Sequence, residues 1–376
     1  MLSTRSLRGS NRLNPTVDQA PTAEAAVDIS LQDHLAIEGH DRDLKRAKAE
    51  NLLEVRNLST HFFTPDGVVH AVDDVSFTLG YGETLGLVGE SGCGKTVTAL
   101  SISRLVPDPP GKIVSGEILF EGQDVVTLPS DAMRRLRGKE IGFIFQDPVT
   151  SLNPTLTIGY QIAEPIRQHM NLPSRAAKDR VVELLSKVGI PRPKDRYGDY
   201  PHQFSGGMRQ RVMIAIALSC DPKLLLADEP TTALDVTIQA QILELIQRLS
   251  EEFKTAVLLI THDLGIAAGM CDHINVMYAG RIVETGTVDQ LYENPRMPYS
   301  WGLLDSLPRL DDIRGGRLRT IEGLPPLLIN MPDACRFNPR CAYTRDICRE
   351  KEPELTTRED DHEARCWGTQ SDGWIP

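Results

Sequence analysis

Glu83-Thr-Leu-Gly-Leu-Val-Gly89-Glu90-Ser91-Gly92-Cys93-Gly94-Lys95-Thr96 runs from an apolar, strand-length segment into a glycine-rich turn, and the helical pattern TVTALSISRLV (96–106) follows at once. The turn satisfies every fixed position of the G-x-x-x-x-G-K-[ST] phosphate loop, in the strand–loop–helix context that motif needs. Gly89, Gly92 and Gly94 let backbone amides turn inward with no Cβ in the way. The amides of Gly89 through Thr96, those of Glu90, Ser91 and Cys93 included, can then hold polyphosphate oxygens at a helix N-terminus. Lys95 would neutralise β/γ charge and Thr96 would ligate Mg2+. The Cys93 side chain is given no chemistry.

Downstream, Lys223-Leu-Leu-Leu-Ala-Asp228-Glu229-Pro230 is an apolar strand ending in two acids. Strand carboxyl ends face the ligand crevice in a doubly wound sheet. Asp228 there reaches Mg2+ through water, and Glu229 orients or deprotonates an attacking water. The segments 83–89, 140–147, 223–228 and 256–263 lack clean alternation, as strands buried on both faces do. The segments 52–58, 68–79 and 116–122 suit an antiparallel piece. Ile238, Ile242, Leu245 and Leu249 form one helical stripe; Val181, Leu184, Leu185 and Val188, closed by Gly189, form another. Strand–helix alternation predicts an α/β fold around a parallel sheet. Segment 274–286 reads as a hairpin turning at Ala279–Gly280.

The chain has 376 residues, 40% hydrophobic and 25% charged, which excludes wholesale disorder. No apolar run is long enough to span a bilayer. The net charge of -11 argues against a broad nucleic-acid surface. Residues 1–50 lack large apolar groups and read as a disordered extension with a short helix between Leu31 and Glu50. Residues 51–290 read as the catalytic domain, and prolines thicken in 291–376. The N-terminus lacks the apolar core of a secretory signal, so reducing, cytosolic surroundings are expected and structural disulfides are not.

Phe204-Ser205-Gly206-Gly207-Met208-Arg209-Gln210 lies between the phosphate loop and the acid pair. It resembles the LSGGQ signature of the ATP-binding-cassette (ABC) ATPases, and the order of motifs agrees throughout residues 52–290. Gln146 is similar to the Q-loop glutamine, Ala233-Leu234-Asp235 to the D-loop, and His262 to the switch histidine. Phe62 stands where the family stacks an aromatic on adenine, with Phe63 as the alternative. The resemblance implies a P-loop NTPase fold with a parallel core sheet, an antiparallel β subdomain and a helical signature subdomain. It further implies that Ser205, Gly206, Gly207 and Asp235 face the nucleotide site of a second subunit, so that ATP and Mg2+ are sandwiched in a dimer. Gln146 would touch Mg2+ and water, and His262 would hold the γ-phosphate. Phe204 and Met208 depart from the commonest signature; the Ser-Gly-Gly is intact.

Seven cysteines are present, and Cys335-x5-Cys341-x6-Cys348-x17-Cys366 crowds the C-terminal region. Four thiols in a proline-broken segment with little core invite a metal staple. The spacings are wider than those of paired zinc ligands, while an iron–sulfur cluster tolerates them. Zinc and free thiols remain alternatives, and His362 is read as a solvated polar residue. Segments 292–308, 322–326, 335–355, 362–366 and 147–154 resemble the peptide-transporter branch of these ATPases, whose cysteines can hold a [4Fe–4S] cluster. Met297 stands where the branch commonly has histidine. The branch implies oligopeptide, dipeptide or nickel import at the cytoplasmic face of the inner membrane. Its implied partners are two permease subunits, an extracytoplasmic solute-binding protein and a second ATPase, a related but different chain with a homodimer as the alternative. A soluble ABC ATPase acting on nucleic acid or ribosomes is disfavoured, because Lys95 to Asp228 is compact and only one cassette is present. A regulatory, iron-sensing module without turnover is disfavoured by the intact Glu229 and His262.

Overall fold

The computed structural model describes residues 51–232, 234–307, 321–357, 361–370 and 374–375. The helix expected before Glu50 and D-loop residue Ala233 lie outside the described residues. In chain order the strands are β1 (Leu53–Thr64), β2 (Gly67–Leu79), β3 (Thr84–Val88), β4 (Gly111–Phe120), β5 (Gln123–Asp124), β6 (Ile141–Ile144), β7 (Leu224–Asp228), β8 (Ala256–Thr261), β9 (His273–Tyr278), β10 (Arg281–Thr287), β11 (Thr356–Thr357) and β12 (Glu363–Ala364). Two sheets form, β2-β1-β4-β5 and β11-β12-β10-β9-β3-β8-β7-β6. The first is antiparallel. In the second, β6, β7, β8, β3 and β9 run parallel.

This order matters for the site. Val88 pairs with Thr261, Asp228 with Ile260, and Ile144 with Ala227. The parallel strands therefore end on one edge, and each of four ends leads into one motif: Gly89, Gln146, Asp228–Glu229 and His262. Every residue of β7 and β8 is buried, which explains their missing polar alternation.

Packing follows the stripes. Helix Val236–Phe253 is capped by Asp235 and buries Ile242, Leu245, Ile246 and Leu249, while Ile238 is only partly covered. Each fully buried aliphatic side chain contributes about 1.5–3 kcal/mol. Helix Ser174–Lys187 buries Val181, Leu184 and Leu185 and gives way to Gly189 at φ 77°. Phe204 is buried in the same core, and Met208 packs against it. The departures from the commonest signature are thus packing residues, and Ser205 and Gly206 stay exposed.

The C-terminal region extends the main sheet: β12 pairs with β10, and β11 with β12. One sequence expectation is overturned here. His362 is not solvated but 1% exposed, and its Nε2 lies 2.8 Å from Oε1 of fully buried Glu284. The two Glu284 oxygens also accept the N–H groups of Arg296 and Met297. A carboxylate on β10 thereby fixes the chain leading into helix Pro298–Asp305.

Candidate active site

The phosphate loop is shaped by close backbone approaches. A Cβ at Gly89 would meet Met277 O at 2.1 Å, and one at Gly94 would meet Ala71 O at 2.3 Å. Gly94 also sits at φ 113°, a conformation that glycine adopts freely. Lys95 is buried, and its Nζ donates to Gly89 O at 2.8 Å and Glu90 O at 3.0 Å. Its ammonium is therefore held under the loop, at the N-terminus of helix Lys95–Ile102. Two of the amides that the sequence assigns to phosphate are engaged within the chain, Glu90 N–H with Tyr299 Oη at 2.9 Å and Cys93 N–H with Glu90 O at 3.3 Å, so an anion is left the other amides of the loop.

Thr96 Oγ1 donates to Asp228 Oδ1 at 3.0 Å. A hydroxyl and a carboxylate oxygen side by side, with Lys95 close behind, form a hard-oxygen set suited to Mg2+. Burial pushes the Asp228 carboxyl up to about 6; the Thr96 hydrogen bond opposes this and the neighbouring Glu229 charge adds to it.

Glu229 is the hub. Its φ is 43°, an uncommon value for a non-glycine residue, and its N–H is held by Ile260 O at 2.9 Å. Its Oε2 accepts from Gln146 Nε2 at 2.9 Å and from Thr232 Oγ1 at 2.8 Å; its Oε1 lies 3.3 Å from His262 Nδ1. Burial pushes this carboxyl up, but the hydrogen bonds from Thr232 and His262 outweigh burial and hold it below its ordinary range. A carboxylate kept ionised near mobile water can act as a base. Sequence reasoning missed Thr232; the hydroxyl pair Thr231-Thr232 after Glu229-Pro230 was its one signal.

Ser205 caps helix Gly206–Ala217, accepting from Met208 N at 3.4 Å, and Gly206 is exposed. The exposed Asp235 likewise caps its helix through Ile238 N at 3.1 Å. The next residue, Val236, is 82% exposed. These residues are not hydrogen-bonded to the chain's own phosphate loop among the described residues. Of the two aromatic candidates, Phe63 is 53% exposed. The Phe62 Cε1 instead lies 2.8 Å from where a Cβ on Gly111 would stand.

Cys335, Cys341, Cys348 and Cys366 line one pocket, closed by apolar groups that include Phe337, Trp367 and Trp374. Among the described residues, no three of their sulfurs lie within 4.8 Å of one another. Four sulfurs about 2.3 Å from one zinc would lie roughly 3.8 Å apart. Burial pushes the Cys335 thiol up to about 12, against a hydrogen bond from the Phe337 backbone, and raises those of Cys341 and Cys366. His61, His70 and Asp73 form a separate ligand-type group within 4.8 Å. Arg281 and Arg336 already hold the Asp73 carboxylate and oppose a cation there.

The comparisons agree with this geometry. The family model described as "ABC transporter" matches residues 72–232, and "Oligopeptide/dipeptide transporter, C-terminal region" matches 283–348. The chain is 53% identical over 320 residues to the oligopeptide transport ATP-binding protein OppD of Bacillus subtilis, covering 85% of this chain and 89% of that one. It is 50% identical to the dipeptide transport ATP-binding protein DppD of the same organism, covering 85% and 95%. Among solved structures, the dimeric post-hydrolysis state of the ATP-binding cassette MJ0796 with ADP and Pi superposes with a TM-score of 0.57 at 27% identity, over 63% of this chain and 98% of that one. The chain therefore belongs to the ATP-binding subunits of the ABC transporters, in the branch that carries the oligopeptide/dipeptide transporter C-terminal region.

Proposed function

We propose that this chain is the ATP-hydrolysing subunit of an importer for peptides, working with a second ATPase subunit across a nucleotide sandwich. The observation that carries the reading is the convergence of Lys95, Thr96–Asp228 and Gln146–Glu229–His262 on one sheet edge. The exposed Ser205, Gly206 and Asp235 support the two-chain arrangement, since beyond the helix caps of Ser205 and Asp235 they face away from the chain's own phosphate loop. The printed peptide-transport names of the relatives support the substrate class.

In this reading the loop amides and Lys95 bind the β- and γ-phosphates of ATP, and Phe63 rather than Phe62 offers the ring for adenine. Thr96 and Asp228 would hold Mg2+, which supplies charge neutralisation when bound, and Gln146 donates to Glu229, the residue after Asp228. Glu229 takes a proton from the attacking water, and His262 steadies that water and the γ-phosphate. The work is positioning and electrostatics around a transferring phosphoryl group. Ser205 and the bare Gly206 and Gly207 amides complete the partner's site. Closure on ATP and opening after hydrolysis supply the mechanical step. Among the described residues no helix is long and apolar enough to cross a membrane. Two permease subunits form the pore, this chain sits on their cytoplasmic face, and a solute-binding protein delivers the cargo.

The four cysteines would hold a [4Fe–4S] cluster. Their shared apolar pocket, and the lack among the described residues of any three of their sulfurs within 4.8 Å, support this over a single zinc ion. The cluster would staple the C-terminal region, residues 291–376, onto the catalytic domain, residues 51–290. Co-purification from membranes identifies the permeases and binding protein. ATP hydrolysis by that complex, reconstituted in vesicles, should rise with peptide-loaded binding protein; no response to any peptide pool would overturn the substrate class.

A further inference from the structure

Every polar group of Glu90, the second residue of the phosphate loop, is engaged. Its carboxylate takes a two-pronged bond from Arg340, Nη1 to Oε2 at 2.6 Å and Nη2 to Oε1 at 3.0 Å. Its N–H donates to Tyr299 Oη at 2.9 Å. Its carbonyl accepts from the Lys95 ammonium at 3.0 Å. Arg340 and Tyr299 both lie in the C-terminal region, outside every nucleotide motif.

The anchors are rigid. The Arg340 side chain is 4% exposed, and its Nε donates to Glu322 O at 3.0 Å. Tyr299 is fully buried, packed in an aromatic group with Tyr278 and Phe337. A planar guanidinium whose Nε, Nη1 and Nη2 all donate to the protein suits a carboxylate geometrically as well as electrostatically. Arg340 also directly precedes Cys341, and Arg336, next to Cys335, holds Asp73 and Ala279 O. At the turn after Ala279, Gly280 N–H donates to Cys93 O at 2.8 Å. The cysteine loop thus braces the phosphate loop at two points.

The charge has a plain consequence. An unpaired carboxylate beside a polyphosphate site repels the ligand, and a displaced Glu90 carbonyl would leave Lys95 with one of its two loop acceptors, Gly89 O. We propose that Arg340, backed by Tyr299, is a positioning residue for ATP: it cancels the Glu90 charge and fixes the loop segment that holds Lys95. Through it the cysteine-bearing C-terminal region sets the affinity of the nucleotide site. This rests on the ATPase reading above, and the two fail differently. If the assembled wild-type complex hydrolyses no ATP, that reading falls; the brace is judged only on how variants of a working complex bind ATP.

The test uses the full chain assembled with its permeases, with ATP and Mg2+. Arg340→Gln should raise the KM for ATP about tenfold, a ratio of the size that contact pairs produce, with the loss falling on KM rather than kcat. Arg340→Lys, which keeps the charge, should recover most of it. The decisive arm is the double variant Glu90→Gln/Arg340→Gln, which removes the acid left exposed by the single change. Its KM should lie below that of Arg340→Gln. A merely structural bond predicts a double variant as poor as the single one, or worse, and that result overturns the proposal, as does an unchanged KM in Arg340→Gln. If Arg340→Gln does not assemble, Tyr299→Phe deletes only the acceptor of the Glu90 N–H. It should raise KM about threefold, and a wild-type value there would overturn the proposal.

Discussion

The Gln146 amide donates to Glu229 Oε2 at 2.9 Å, joining the end of β6 to the end of its neighbour β7. The glutamine that follows one strand thus shares an acceptor with Thr232 on the proposed base, while His262 reaches its other oxygen. Gln146→Ala removes a positioning donor and leaves the phosphate loop whole. We expect kcat to fall by about 10–100-fold with ATP affinity within threefold of wild type. Rapid-quench kinetics with nucleotide-binding titration would check this; a loss confined to affinity would contradict it.

The raised Asp228 carboxyl gives a pH dependence with a definite sign. Its folded value of about 6 lies above the ordinary 3.8, so the folded state holds the proton more tightly. The associated stability, about 3 kcal/mol, is fully present below the ordinary value and is lost as pH rises through about 6. Denaturant unfolding in EDTA, compared with Asp228→Asn across pH 4–7.5, should show wild type losing stability relative to the variant as pH rises. A pH-independent difference would contradict the assignment.

Phe63 and Phe62 should separate cleanly. The exposed Phe63 has a ring free to stack, so Phe63→Ala should weaken ATP binding by about 5–10-fold, in keeping with an aromatic–base stack of 1–3 kcal/mol, at little cost to folding. Phe62→Ala, beside Gly111, should instead lower stability. Equilibrium nucleotide binding and thermal melts on both variants decide it, and the reverse pattern would transfer the adenine role to Phe62.

For the cysteine pocket, anaerobically purified protein should contain iron and acid-labile sulfide in equal amounts, and Cys348→Ser should lower both. Zinc without sulfide would replace the cluster by a single ion, and neither metal would leave free thiols.

Much of this was legible from residues 83–96 and 223–229, because phosphate chemistry demands glycines, a lysine and acids at fixed spacing. The strands were legible through their apolar runs, as β7 and β8 show. What stayed hidden was tertiary. His362 looked like a solvated histidine because nothing nearby in sequence foretells Glu284, 78 residues away. Nothing in the sequence around Arg340 points to its partner Glu90, which lies 250 residues upstream. Phe62 and Phe63 could not be separated, since adjacent strand residues point to opposite faces and the irregular register of β1 decides which is exposed. The exposure of Asp235 and of Val236 after it also needed the fold.

The most direct test of the central claim is the behaviour of Glu229→Gln in the assembled complex with ATP and Mg2+. The account predicts that phosphate release stops while ATP stays bound and the two ATPase subunits remain closed on it, detected as a persistent ATP-loaded assembly on gel filtration. Phosphate release at the wild-type rate, or a complex that neither binds ATP nor closes, would contradict it.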